Sequence, residues 1–151
     1  MMDISDIKNH INNKSRLIGV DMGSKRVGLS ISDENRKIAT PLKTVNYENI
    51  KILEDELKKI ANENKVHAIV FGNPKNMDGT EGSSSQSVKD KVKLISEQIK
   101  IPVFLWDERL STVGAFNISS QLDINVTKRV KNIDENAATF ILQGVLDFLN
   151  N

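Results

Sequence analysis

The hydrophobic pattern of this chain changes near residue 48, from strands alone to helices alternating with strands, and that change decides what it can fold into. Before it, Leu17-Ile18-Gly19-Val20 is a short apolar run ending at Asp21, and Val27, Leu29 and Ile31 alternate with Gly28, Ser30 and Ser32. Alternation every second residue marks a strand with one buried face. Gly23 and the Asp33-Glu34-Asn35 group supply the turns between strands. Residues 36–45 read as a third strand, which Pro41 places at a sheet edge or a bulge. After the change, Ile50, Leu53, Leu57 and Ile60 recur at helical spacing. A fourth strand at Ala68–Phe71 follows, then a loop over 72–84. Ser83–Ser85 can cap a helix with the stripe Val88, Val92, Ile95 and Ile99. Pro102 opens a fifth strand, Val103–Trp106. A helix is expected from about Thr112 to Leu122, and a last one from Asp134 with Ala138, Ile141, Val145 and Leu149 on one face. Three successive strands pair antiparallel, whereas strands separated by helices pair parallel. The expected fold is α/β: a five-stranded mixed sheet, three antiparallel strands then two parallel, with helices on both faces.

Residues 1–15 read as an N-terminal extension, with Ile4, Ile7 and Ile11 at helical spacing, and residues 16–151 as one domain. The chain has no cysteine, which excludes disulfides and thiolate zinc sites. His10 and His67 have no ligand-like spacing, so any metal must be a hard ion held by oxygen. A net charge of +1 argues against a polybasic binder but allows a local basic surface. No apolar run approaches the ~20 residues that cross a bilayer, and the polar start lacks a signal-peptide core. The expectation is a cytoplasmic protein with no membrane partner.

Three acidic positions stand out. Asp21 ends a strand expected at the sheet centre, where an unpaired carboxylate is costly unless it faces a cleft or a cation. Its bland alternative is a simple Asp-Met-Gly turn. Asp107-Glu108-Arg109 follows the fifth strand, and its alternative is a solvated loop. Asp134 precedes the last helix, where Asp is a favoured cap, and the small Ala137 and Ala138 let that helix approach the sheet closely. If the three converge, their mutual repulsion raises their pKa values, and Mg²⁺ or Mn²⁺ would relieve it. Basic residues flank each acid: Lys25 and Arg26, Arg109, and Lys128, Arg129 and Lys131. Each could contact phosphate. The polar, basic stretch 123–132 is expected to be mobile without substrate. Met77 and Trp106 read as packing residues.

The segments Asp21-Met22-Gly23-Ser24-Lys25-Arg26-Val27-Gly28, Gly72-Asn73-Pro74, Asn76-Met77-Asp78-Gly79-Thr80-Glu81-Gly82, Asp107-Glu108-Arg109-Leu110-Ser111-Thr112 and Asp134 with Ala137-Ala138 and Ile141-Leu142 lie in the order and spacing of a known family. The chain resembles the YqgF (RuvX) family, relatives of the RuvC Holliday-junction resolvases. One departure is Gly72-Asn73-Pro74, where the family usually has Gly-Leu-Pro. The resemblance implies an RNase H-like fold and a divalent-metal nuclease. It places catalytic and metal-binding acids on Asp21, on Glu108 or its neighbour Asp107, and on Asp134. It implies action on the 5′ end of pre-16S rRNA during ribosome biogenesis; the small-subunit precursor is an expected partner, and a monomer or weak homodimer the expected form. The alternative substrate is a branched DNA junction.

Overall fold

The computed structural model describes residues 2–11, 14–23, 25–74, 78–108 and 133–150. Its strands are β1 (Met2–Asp3), β2 (Arg16–Met22), β3 (Arg26–Ser32), β4 (Ala39–Asn46), β5 (Val66–Asn73) and β6 (Val103–Asp107). Its helices are α1 (Ile50–Asn64), α2 (Ser83–Gln98) and α3 (Ile133–Leu149), with a 3-10 helix at Ile4–Asn9. They form one sheet in the order β1-β6-β5-β2-β3-β4. β2, β3 and β4 pair antiparallel, and β5 and β6 continue parallel from β2. The five expected strands are therefore present in the expected mixed arrangement. The N-terminal extension adds a short sixth strand beside β6.

Alternation along the strands sorts the core into two layers. Ile18, Val20, Ile69 and Phe71 pack with Leu53 and Leu57 of α1 and Val88 and Val92 of α2. Leu17, Ala68, Val70, Phe104 and Trp106 pack with Ile141, Leu142, Val145 and Leu146 of α3, and Ile7 of the extension is buried among them. Asn49 caps α1, its side-chain oxygen accepting from the Ile52 N–H at 3.2 Å. Helix α2 starts at Ser83 behind Gly82, which offers no side-chain cap. The expected serine cap is not used: the Ser85 hydroxyl instead donates to Asn73 Oδ1 at 2.5 Å, inside the structure. Pro41 meets both expectations, since β4 is an edge strand and its register with β3 slips between Leu29 and Ser30. The fourth strand is longer than its apolar run, reaching Asn73 because β6 pairs with it to that point.

Helix α3 crosses the sheet against β2 at very close range. A Cβ on Gly19 would lie 2.5 Å from Ser30 Oγ, 2.7 Å from Leu142 Cβ and 3.0 Å from the Ala138 carbonyl oxygen. The buried Ser30 hydroxyl donates to that same carbonyl at 2.7 Å. Gly19→Ala should therefore destabilise the protein by about 2–3 kcal/mol, because helix backbone must move to admit one methyl. Chemical denaturation checks this, and an unchanged midpoint would contradict the close packing.

The direction of α3 matters for the site. Its far end, Asn150, donates to the Arg36 carbonyl oxygen at 2.8 Å, and Arg36 in turn donates to the Ser15 carbonyl oxygen at 3.1 Å, just before β2 begins. Its middle, Ala138, sits at Gly19. The helix thus runs antiparallel to β2, and its first turn heads for the end of β2 that carries Asp21.

Candidate active site

The site is assembled at the carboxyl ends of the parallel strands, where α/β sheets leave a crevice. In β2, Leu17, Gly19 and Asp21 share the α3 face by alternation. Asp21 pairs across the hairpin with Gly28. The following turn is held from several sides. The Gly23 N–H donates to the Arg26 carbonyl oxygen at 2.9 Å. The Tyr47 hydroxyl donates to the Gly23 carbonyl oxygen at 3.0 Å, and the Tyr47 N–H donates to the Lys25 carbonyl oxygen at 3.1 Å. Lys25 and Arg26 are exposed at this end of the sheet.

Between Asp21 and the acids of β6 stands one intervening strand, β5. A side chain there would separate them, and the residue present is Gly72. A Cβ on Gly72 would lie 2.6 Å from Glu108 Oε1 and 2.6 Å from Ile141 Cδ1. The missing side chain is the space through which the Glu108 carboxyl crosses β5 toward Asp21. This also separates the two adjacent acids: Trp106 faces α3, so Asp107 alternates to the opposite face, while Glu108 turns back onto the α3 side beside Asp21.

Burial pushes the Glu108 carboxyl up to about 7 from an ordinary 4.5, helped by the charge of Asp21, a hydrogen bond with the Asp21 side chain, and the charge of Asp107. Below about pH 7, the protonated Glu108 donates to the Asp21 carboxylate. Between pH 4.5 and 7 the folded protein holds this proton and the unfolded chain does not. The stabilisation is complete below about 4.5 and is lost as pH rises through about 7. Glu108→Gln mimics the protonated form permanently. In chelator, the variant should be more stable than the parent at pH 8 by about 2 kcal/mol, allowing for partial solvent screening, with the gap closing at pH 5. Thermal melts at the two pH values test this, and a variant that melts lower at pH 8 would contradict it.

The third acid, Asp134, lies in the first turn of α3 by its backbone. Four residues of helix, about 6 Å, separate it from Ala138, and two residues of strand, about 7 Å, separate Gly19 from Asp21. With α3 antiparallel to β2, these paths end side by side. The Asp134 side chain lies outside the described residues, as do Arg109, Lys128, Arg129, Lys131, Met77, the 112–122 helix and the 123–132 stretch. Among the described residues, no group of three His, Cys, Asp or Glu side chains is arranged to hold a metal. Trp106 is buried against Phe148, ring centres 5.9 Å apart, as a packing residue.

The donor set fits a hard cation. Two carboxyls joined by a hydrogen bond across a glycine gap form an all-oxygen pair whose repulsion, once both are ionised, an ion of charge two would relieve. The loop before α2 is internally tied: Asp78 Oδ1 accepts from the Thr80 N–H at 2.9 Å and the Thr80 hydroxyl at 2.6 Å. Gly79 has φ 90°, which disfavours any other residue. Three residues escaped the sequence reading of this site: Gly72 as the opening for Glu108, Tyr47 as the tether of the turn, and Asn73 as the buried partner of Ser85. Gly72 carries a visible signal, since glycine at a strand end marks close approach. Tyr47 carries none.

Comparison with known proteins bears on the family and the fold. The family model described as "RuvX: Holliday junction resolvase" matches residues 15–148. A protein of Pelagibacter ubique named "Putative pre-16S rRNA nuclease" is 60% identical over 151 residues, covering 100% of both chains. A relative of the same name from Clostridium novyi is 40% identical over 132 residues, 87% of this chain and 98% of that one. Among solved structures, RuvC of T. thermophilus in complex with a Holliday junction substrate aligns with a TM-score of 0.53 at 11% identity, over 89% of this chain and 96% of that one. A fowlpox virus resolvase aligns with a TM-score of 0.52 at 12% identity, over 90% of this chain and 99% of that one. At such low identity these two structures speak for the shared RNase H-like fold alone. Within that fold, the sequence matches make the chain a member of the RuvX family.

Proposed function

We propose that this protein is a divalent-metal-dependent nuclease that hydrolyses phosphodiester bonds at the Asp21–Glu108 cluster, acting on the 5′ end of pre-16S rRNA. The observation that carries the reading is the Glu108 carboxyl crossing Gly72 to meet Asp21. Asp21, Glu108 and Asp134 would hold Mg²⁺ or Mn²⁺, while Asp107, on the opposite face of the strand, adds only its charge. When bound, such ions lower the pKa of a coordinated water and stabilise the leaving oxygen. The chain's own residues do the rest. The Gly72 gap and the Tyr47 tether fix the two acids in place before substrate arrives. Glu108 must give up its proton to bind an ion, so ion binding strengthens as pH rises through about 7. Lys25 and Arg26 are exposed at the same end of the sheet and suit phosphate contact, and Arg109, Lys128, Arg129 and Lys131 extend that set in sequence.

The relatives named for pre-16S rRNA favour RNA as substrate. A second reading, cleavage of branched DNA, is favoured by the family description and by a structural neighbour solved with a Holliday junction. Purified protein with Mg²⁺ or Mn²⁺, offered both substrates, separates them. Cleavage of precursor RNA near the mature 5′ end supports the first. Symmetric cutting of four-way junctions with no action on the RNA would reverse the assignment.

A further inference from the structure

On the other face of the sheet end, against α2, lies a cleft of about 320 Å³ lined by Met22, Gly23, Pro74, Ser83, Ser84, Ser87, Val88 and Lys91. Its lining starts at Met22, the residue directly after Asp21, so about 4 Å of backbone separates it from the acid cluster. Its chemistry differs from that of the cluster. Among the described residues, the lining contains no carboxylate. Lys91 is half-buried, and its ammonium donates to the Tyr47 hydroxyl at 3.4 Å and lies 6.0 Å from the centre of the Tyr47 ring. Among the described residues no carboxylate forms an ion pair with it. The neighbouring lysine on α2, Lys89, is by contrast neutralised by Glu81. Ser84 and Ser87 are exposed, and among the described residues their hydroxyls have no partner. Met22, Pro74 and Val88 give the cleft one apolar wall.

A fixed cation without a carboxylate partner, free hydroxyl donors and an apolar wall together suit a sugar–phosphate unit: the charge and hydroxyls meet the phosphate, and the wall meets a base or sugar. We propose that this cleft is a subsite for the nucleic-acid strand, in which Lys91 binds a phosphate neighbouring the one that is cut. The proposal rests on the nuclease reading and adds a binding residue to it. Tyr47 joins the two places, because the hydroxyl that Lys91 contacts also holds the Gly23 carbonyl after Asp21. Tyr47 is thus a positioning residue.

The test is binding, separated from cleavage. A fluorescein-labelled single-stranded RNA is titrated by anisotropy at several salt concentrations, with Asp21→Asn as the background so that the strand stays whole. Lys91→Met should weaken binding roughly fivefold to tenfold and reduce the salt slope by about 0.7, the value of one phosphate contact on a single strand. Lys91→Arg should restore both. Ser87→Asp, at an exposed position with no packing to lose, should weaken binding as well. Lys58→Met, on the groove at the opposite end of the sheet, makes the same charge change and should move neither quantity. Unchanged affinity and slope in Lys91→Met, or equal losses in Lys58→Met, would overturn the subsite. Cleavage by the protein with Asp21 intact judges the nuclease reading separately. A Lys91-dependent slope without cleavage keeps the subsite and removes that reading, and cleavage without the slope change does the reverse.

Discussion

Asp21→Asn should lower metal-dependent cleavage by about a thousandfold or more while leaving the fold intact. The change swaps one oxygen for an amide and keeps the shape of the side chain. The amide oxygen can still accept the Glu108 hydrogen bond, so the local packing has no reason to move. The charge is what disappears, and with it the strongest attraction for a hard cation at the end of β2. Stability should hold below about pH 7 and rise slightly above it, where Asp21 and Glu108 are both ionised and repel each other. Single-turnover cleavage and a thermal melt on the same preparation check both halves. Equal activity in variant and parent would remove Asp21 from the mechanism.

The second large effect is expected at a residue with no functional group. Gly72→Ala places a methyl 2.6 Å from Glu108 Oε1 and 2.6 Å from Ile141 Cδ1. Glu108 Cγ also lies 2.9 Å away, so the Glu108 side chain must shift as a whole, but no backbone atom is struck and the cost to stability should be about 1 kcal/mol. The displaced carboxyl, however, is the one that meets Asp21. A shift of about 1 Å in a catalytic group can cost a hundredfold in rate. Gly72→Ala should therefore lose about a hundredfold in cleavage with nearly normal melting, whereas Gly19→Ala should melt early. The difference follows from what each methyl strikes: a movable carboxyl at Gly72, helix backbone at Gly19. Should Gly72→Ala cleave normally, the route of Glu108 across β5 is wrong.

These contrasts show how far residue patterns can be read. The strands and helices were legible because Leu17 to Val20, Val27 to Ile31 and the stripes of α1 and α2 each bury one face, and burial imposes period. Asp21 and the 107–108 pair were legible as strand-end acids. Which of the pair meets Asp21 was not, since Glu108 reaches it only through the gap at Gly72 of β5, a neighbour that the residues around 107 and 108 do not name. The sixth strand was missed because two residues carry no period, and its pairing with β6 depends on Ile7 being buried under the sheet edge. The serine cap of α2 failed because Ser85 found a buried partner, Asn73, 12 residues away in sequence. Lys91 drew no notice for the same reason: its partner, Tyr47, lies 44 residues away.

A crystal soaked in Mn²⁺, read by its anomalous signal, bears most directly on the acid cluster. The expected peak lies between the carboxyl oxygens of Asp21 and Glu108, above Gly72, with the Asp134 carboxyl reaching it from the first turn of α3. A crystal in which Glu108 still shares its proton with Asp21, and the ion is absent or held by other residues, would contradict the metal site and the nuclease built on it.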